Sequence, residues 1–158
     1  MGSFLIVSIV GIFACAFLDL WQRLLFYCFK VPPSNWAVVG RWVMIFIRTR
    51  VWVQSNLVNQ PTIKNELFLG WGFHYLVAVA YAMLYIFLFK QGFISFGVVN
   101  GLVFGLISVI VPWFFFMPAM GAGVLANKTP NPILNCILSL LAHGIFGGAL
   151  GWLFKMLY

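Results

Sequence analysis

The chain has 158 residues, of which 64% are hydrophobic and only 7% are charged, and its mean hydropathy is +1.06. A soluble domain is nearer to half apolar and a quarter charged. This composition therefore excludes a soluble domain and predicts an integral membrane protein. The formal net charge of +7 then indicates attraction to anionic lipid and not to nucleic acid. The length predicts one domain over residues 1–158.

Four stretches are long enough to cross a bilayer, which takes about 20 apolar residues per helix. They cover about residues 3–29, 66–89, 93–116 and 133–158. Pro112 interrupts the third stretch and Met117-Pro118 closes it. The first stretch lacks a basic start and runs past any cleavage site, so we interpret it as a retained span. The predicted fold class is an all-α membrane protein with four transmembrane helices.

A fifth apolar stretch, residues 36–53, contains Arg41, Arg48 and Arg50. Three buried arginines would cost about 7–10 kcal/mol on the insertion scale, which the neighbouring aliphatic residues do not return. Apolar residues recur there at helical spacing after Ser34, a suitable N-cap. We therefore predict a helix over residues 34–47 that lies in the membrane surface. The alternative is a re-entrant hairpin. Residues 54–64 are predicted to be a loop.

Lysine and arginine counts predict the orientation, because cytoplasmic loops carry the excess of both. With four spans, Lys90 and Lys155 lie on one side, and six basic residues lie on the other: Lys30, Arg41, Arg48, Arg50, Lys64 and Lys128. The long first loop is then cytoplasmic. If residues 36–53 spanned the membrane, every later element would be inverted.

Asp19 lies inside the first apolar stretch, and Arg23 follows one helical turn later on the same face. An ionisable group at membrane depth costs about 2.5–3.5 kcal/mol, so it usually faces inward and has a function. We predict that this pair binds solute or relays a proton. The alternative is a structural pair, or an Arg23 that reaches lipid phosphate.

His74 and His143 are the two histidines, and the topology places both at a depth similar to that of Asp19. Histidine titrates near neutral pH, so the three groups are predicted to form one polar site just below the cytoplasmic interface. A single histidine in an apolar helix is more often a satisfied buried donor. No metal and no cofactor are predicted.

The segment from Met117 to Asn131 is rich in proline and glycine, which is typical of the irregular backbone that builds transporter sites. An ordinary loop is the alternative. The residues predicted to contact a ligand or lipid headgroup are Arg41, Met117, Met120, Asn127, Thr129 and Asn131. For Arg41 the alternative is a basic residue that anchors the cytoplasmic side of the protein.

Glycines repeat every four residues in the third and fourth stretches, at 97, 101 and 105, at 144 and 148, and at 147 and 151. Such faces let helices approach closely, either within one chain or in a dimer. The three cysteines contain no CxxC pair and are interpreted as small buried hydrophobes. The sequence has no serine-hydrolase, zinc-protease, P-loop or dinucleotide motif.

Several motifs resemble an uncharacterised family of small bacterial inner-membrane proteins, the domain of unknown function 2938 family. They are Asp19-Leu20-Trp21, Gly70-Trp71-x-x-His74-Tyr75, Met117-Pro118-x-Met120 and Thr129-Pro130-x-Pro132. The resemblance covers nearly the whole chain and implies a compact multi-span protein of the bacterial inner membrane. It implies no activity for any residue.

The leading hypothesis is a transporter or binding protein for a small anionic or lipid-like solute, working as a homodimer among membrane lipids. An integral membrane enzyme acting on a lipid-linked or quinone-like substrate is the second hypothesis, with Asp19 and a histidine as acid and base. The third is a structural or assembly subunit that uses its glycine faces to hold a partner.

Overall fold

A computed structural model describes residues 2–54 and 57–158, and this part of the chain is helical and without strands. Four stretches are long and apolar enough to cross a membrane: Phe4–Phe29, Glu66–Lys90, Val98–Ala119 and Pro132–Leu157. The predicted fold class is thereby confirmed. Asn56, within the predicted loop, lies outside the described residues. The helices are α1 (Gly2–Phe29), α2 (Trp36–Thr49), α3 (Glu66–Lys90), α4 (Val98–Ser108), α5 (Met117–Ala119) and α6 (Pro132–Leu157).

The third span begins five residues later than predicted, at Val98 instead of Phe93. Gly92 and Gly97 have φ angles of 78° and 135°, which lie in the region that favours glycine. The chain therefore turns over residues 91–97 before it becomes helical. The N–H of Gly97 donates to the carbonyl of Gly151 at 3.0 Å, which fixes the start of α4 against α6.

Pro112 interrupts the regular α-helix of the third span as predicted, but Met117-Pro118 does not close the span. Proline has no N–H, and the chain responds with a π-helical turn over Pro112–Phe116. The N–H of Met117 donates to the carbonyl of Pro112, and the helix continues to Ala119. The predicted end at Phe116 was therefore wrong by three residues.

The predicted helix in the first loop exists, but it covers Trp36–Thr49 instead of residues 34–47. Asn35 is the N-cap, because its side-chain oxygen accepts the N–H of Val38 at 3.4 Å. Ser34 was the wrong cap; its N–H instead donates to the side chain of Gln22 at 2.9 Å. The 3₁₀ turn Leu57–Asn59 lies within the predicted loop.

The chain groups into two compact units. Unit 1 comprises Met1–Ser34, Tyr75–Ser108 and Leu140–Tyr158, and unit 2 comprises Asn35–His74 and Val109–Ser139. The core of unit 1 is apolar and aromatic: Tyr85 is fully buried and stacks on Phe154 with ring centroids 5.4 Å apart. Gly11 of α1 lies against Ala78 and Ala82 of α3.

Within unit 1, α4 and α6 touch backbone to backbone along their glycines. A methyl group on Gly101 would overlap the carbonyl oxygen of Gly147, and one on Gly147 would overlap that of Gly101. Gly105 lies in the same way against the carbonyl of His143. Since no side chain separates the helices at these points, the polar groups of one helix are brought within reach of the other.

Within unit 2, α2 packs along the first turns of α3. A methyl group on Gly40 would overlap the carbonyl of Glu66, and one on Gly70 would overlap that of Trp36. These contacts run in opposite directions along the two helices, so α2 is antiparallel to the start of α3. Trp42 is 2% exposed, and its indole N–H donates to the carbonyl of Trp52 at 2.9 Å. Aromatic rings surround it: Phe46, Trp52, Phe73 and Phe116.

Replacing Gly147 by alanine tests the contact between α4 and α6. We expect a loss of about 1–3 kcal/mol in the free energy of unfolding, because a methyl group cannot enter without separating the helices. Thermal unfolding in detergent micelles measures the change.

The matched control is Gly144→Ala, one turn earlier in α6, where the nearest atom is Leu106 Cδ2 at an ordinary 3.6 Å. This variant should change the stability by less than about 0.5 kcal/mol. Equal effects of the two substitutions would show that the backbone contact is not the cause.

Candidate functional site

Asp19 and Tyr75 form a buried polar pair within unit 1. Asp19 is 9% exposed, and the hydroxyl of Tyr75 on α3 donates to its Oδ2 at 2.9 Å. Cys15 is buried one helical turn before Asp19, with its Sγ within 4.8 Å of a carboxylate oxygen. The pair therefore joins α1 to α3 through a hydrogen bond from a phenol to a carboxylate.

Arg23 follows Asp19 by one turn but is exposed. Of the predicted pair, only the aspartate is inside the unit. A long cationic side chain at the edge of an apolar helix can extend to a lipid phosphate, which was the alternative for Arg23.

His143 belongs to a second polar group in unit 1, which we call the His143 node and define as Tyr81, Ser108 and His143. Ser108 Oγ lies 2.7 Å from His143 Nδ1 and 2.7 Å from the carbonyl of Gly105. The hydroxyl of Tyr81 donates to the carbonyl of Ser108 at 3.4 Å. The node thus connects α3, α4 and α6.

Helix geometry explains why Tyr81 finds an acceptor there. The carbonyl of Ser108 would normally accept the N–H four residues later, but that residue is Pro112, which has none. The ring of Tyr81 also meets that of His143 edge-on, with centroids 5.9 Å apart. A carbonyl freed by proline is therefore bound by a side chain from a neighbouring helix.

His74 lies in unit 2 and is part of an aromatic cluster. Its ring stacks on Trp36 with centroids 3.8 Å apart, and Trp71 approaches it edge-on at 5.8 Å. The cluster joins the first turn of α2 to α3. Asp19 and His143 belong to unit 1, so a single pocket holding all three groups stays a prediction.

Arg41 of unit 2 is 5% exposed and is held by a bidentate ion pair with Glu66. Its Nε and Nη2 donate to the two carboxylate oxygens at 2.8 and 2.9 Å, and its Nη1 donates to the carbonyls of Leu57 and Gln60 at 3.0 and 2.7 Å. The bonds to Glu66 raise the pKa of Arg41 above its usual value. A headgroup at Arg41 would have to displace these partners.

The other predicted ligand contacts lie in unit 2, at Met117 of α5 and in the segment that follows this helix. Its backbone turns at Gly121 and Gly123, whose φ angles are 83° and 78°. Thr129 donates to the carbonyl of Ala126 at 2.7 Å and accepts the side-chain amide of Asn135 at 2.8 Å. Thr129 thus supports the loop itself. Among the remaining residues, Met117 and Met120 are half-buried, whereas Asn127 and Asn131 are exposed.

Sequence reasoning missed Tyr75, Tyr81, Ser108 and the role of Glu66. One signal was available: Ser108 precedes Pro112 by four residues, so its carbonyl had to find another donor. The tyrosines gave no comparable signal, since an apolar helix can place a tyrosine on any face.

The model of a protein family described as "Protein of unknown function (DUF2938)" matches residues 8–156. This match covers nearly the whole chain and confirms the resemblance found in the motifs. A search of curated proteins and a search of solved structures each returned no match.

Replacing Arg41 by lysine tests the ion pair. Lysine keeps the charge but cannot bond both carboxylate oxygens and the loop carbonyls at once. We expect a fall of several degrees in the melting temperature in detergent micelles. Arg48→Lys is the matched control, because Arg48 is exposed on the same helix, and it should melt like the wild type. Equal melting temperatures for the two variants would show that the ion pair between Arg41 and Glu66 does not stabilise the protein.

Proposed function

Since this chain belongs to the DUF2938 family, whose description names no activity, we propose a function from its own side chains. We propose that it is a small membrane transporter or binding protein for a small anionic or lipid-like solute. Asp19, Arg23, His74 and His143 are the residues proposed to contact solute or carry protons. The buried Asp19–Tyr75 pair is the observation that carries the proposal.

A carboxylate inside an apolar helix raises the free energy of membrane insertion, so its presence indicates a functional role. Asp19 has a protein donor in Tyr75, so a hydrogen bond satisfies one of its carboxylate oxygens between the helices. A carboxyl group is a proton-exchanging group, and exchange of a proton changes the charge of its site by one unit. A group of this kind is what a proton-linked solute site needs.

The distribution of charge favours an anionic solute. Eight of the nine basic residues are exposed, Arg41 being the buried one, whereas Asp19 is buried and Glu66 is half-buried against Arg41. The outer surface therefore carries positive charge without exposed carboxylates to neutralise it. Such a field raises the local concentration of anions.

The proposed membrane is the bacterial inner membrane, with the first loop in the cytoplasm. The charges of Arg48, Arg50, Lys64 and Lys128 support this orientation, since all four are exposed in unit 2. A homodimer and contact with anionic lipids at these residues remain part of the proposal. The glycine repeats are proposed as packing faces. Gly101 and Gly105 lie against Gly147 and Gly151 within the chain, whereas Gly144 and Gly148 meet leucine side chains.

Reconstituted vesicles of phosphatidylethanolamine and phosphatidylglycerol test the proposal. The probes are external inorganic phosphate, external succinate and a fluorescent phosphatidylglycerol, with pyranine inside the vesicles to follow pH. We expect faster movement of at least one probe than in empty vesicles. Asp19→Asn should slow it by about tenfold or more, which corresponds to about 1.4 kcal/mol. Tyr75→Phe should produce a smaller loss.

Lys90→Gln is the control, because Lys90 is an exposed cation at the last residue of α3. It should move the probe at the wild-type rate. Wild-type vesicles that move none of the three probes, or an Asp19→Asn variant as fast as the wild type, would refute the transport proposal.

A membrane enzyme is the second candidate, and the hydroxyl–imidazole contact between Ser108 and His143 favours it. A serine is activated as a nucleophile by a histidine within hydrogen-bond reach. Product formed from phosphatidylglycerol in detergent micelles, where no gradient exists, would favour the enzyme over the transporter.

A further inference from the structure

We propose that His143 is a proton-binding site of this protein and that the Ser108 hydroxyl transmits its protonation state to the backbone of α4. The inference rests on the proposed function in one respect: the proton is the ion that would drive solute movement. The site itself is argued from the His143 node alone.

Ser108 Oγ has two neighbours at hydrogen-bond distance and one proton. The carbonyl of Gly105 and Nδ1 of His143 both lie 2.7 Å away. The carbonyl can only accept, whereas the imidazole nitrogen can accept or donate according to its protonation. The hydroxyl can therefore satisfy both contacts at once only when Nδ1 carries a proton and donates it.

Protonation of His143 consequently selects one arrangement of the node. In the imidazolium both nitrogens carry protons, so Nδ1 must donate to Ser108 Oγ, whose own proton then points at the Gly105 carbonyl. The neutral ring can carry its proton on Nδ1 or on Nε2. With a bare Nδ1 the hydroxyl can turn to the ring and release that carbonyl, an arrangement that the imidazolium excludes. The ring gains or loses one proton, and the only bonds exchanged are hydrogen bonds.

The backbone that receives this signal lacks one helical hydrogen bond at its end. The carbonyl of Ser108 lacks its helical donor because residue 112 is proline, and Tyr81 binds it at a long 3.4 Å. Gly105 lies directly against the backbone of His143. A change at the hydroxyl thus acts on the last turn of α4 at its point of contact with α6.

Among the described groups that contact His143, the Ser108 hydroxyl is the one that hydrogen-bonds its ring. From α3 the titratable group that faces it is the phenol of Tyr81, and from α4 it meets Ser108. Both are neutral near pH 7. The ring of Tyr81 also meets the rings of Phe104 and Phe146 edge-on. Among the contacts of the described residues, the hydrogen bond to Ser108 is therefore the one that stabilises the charged imidazole of His143.

Nuclear magnetic resonance of ¹⁵N-histidine-labelled protein in lipid nanodiscs tests the proposal. The two histidines give two signals, and His143→Gln assigns the one that disappears. We expect His143 to titrate in the wild type, with Nδ1 hydrogen-bonded in the protonated ring. Ser108→Ala should lower the midpoint by about 1–2 pH units, because the imidazolium loses its acceptor.

Ser108→Thr is the conservative variant, since it keeps the hydroxyl, and it should restore the midpoint to within about 0.5 pH units of the wild type. A Ser108→Ala midpoint equal to that of the wild type would overturn the proposal. A wild-type His143 whose Nδ1 makes no hydrogen bond when protonated would also overturn it, and this measurement does not depend on how a variant folds.

The vesicle assay separates this inference from the proposed function. Ser108→Ala should shift the pH at which probe movement is half-maximal, by the amount seen in the titration. Asp19→Asn should instead lower movement at every pH. If Asp19→Asn abolishes movement while Ser108→Ala leaves its pH dependence unchanged, the transport proposal stands and the proton site at His143 is refuted.

Discussion

A polar side chain inside an apolar helix needs a hydrogen-bond partner, which its own helix or a neighbouring helix must supply. This requirement accounts for the hydrogen bonds that cross between helices in both units. Tyr75 serves Asp19, Ser108 serves His143, and Glu66 serves Arg41. Among the described residues, every buried side-chain nitrogen and oxygen atom has a hydrogen-bond partner.

Close backbone contact is what makes these short polar bonds available. Serine has a short side chain, and Ser108 reaches His143 because glycines 101, 105 and 147 remove the side chains that would otherwise separate α4 from α6. Gly40 and Gly70 do the same for α2 and α3, where Arg41 binds Glu66. The close packing and the polar bonds therefore depend on each other, since a side chain in place of one of these glycines would separate the helices and lengthen a polar bond.

Irregular backbone adds the third element. Pro112 has no N–H and so leaves the carbonyl of Ser108 without its helical donor, whereas the π-helical turn that begins there keeps the third span continuous. Such turns occur often at functional sites, because they free groups that a regular helix would use. In unit 1 the freed carbonyl is bound by Tyr81, next to the ring of His143. A missing helical hydrogen bond and a titratable side chain thus lie next to each other.

The sequence by itself determined the four spans, the extra helix of the first loop, the family and the positions of the unusual charges. These features follow from composition and from helical spacing, which are local properties of the chain. Boundaries failed by two to five residues where a cap or a left-handed glycine decided them, as at Asn35 and Gly97. Local patterns rank several capping residues nearly equally, so they cannot choose among neighbours.

Only the tertiary structure decided the partners. Asp19 and Tyr75 are 56 residues apart, Ser108 and His143 are 35 apart, and Arg41 and Glu66 are 25 apart. Nothing periodic links such residues, because each pair depends on which faces of two helices meet and at what height. Arg41 illustrates the reason: its sequence context indicated an anion site, yet a carboxylate at the start of α3 and carbonyls of the intervening loop already occupy its donors.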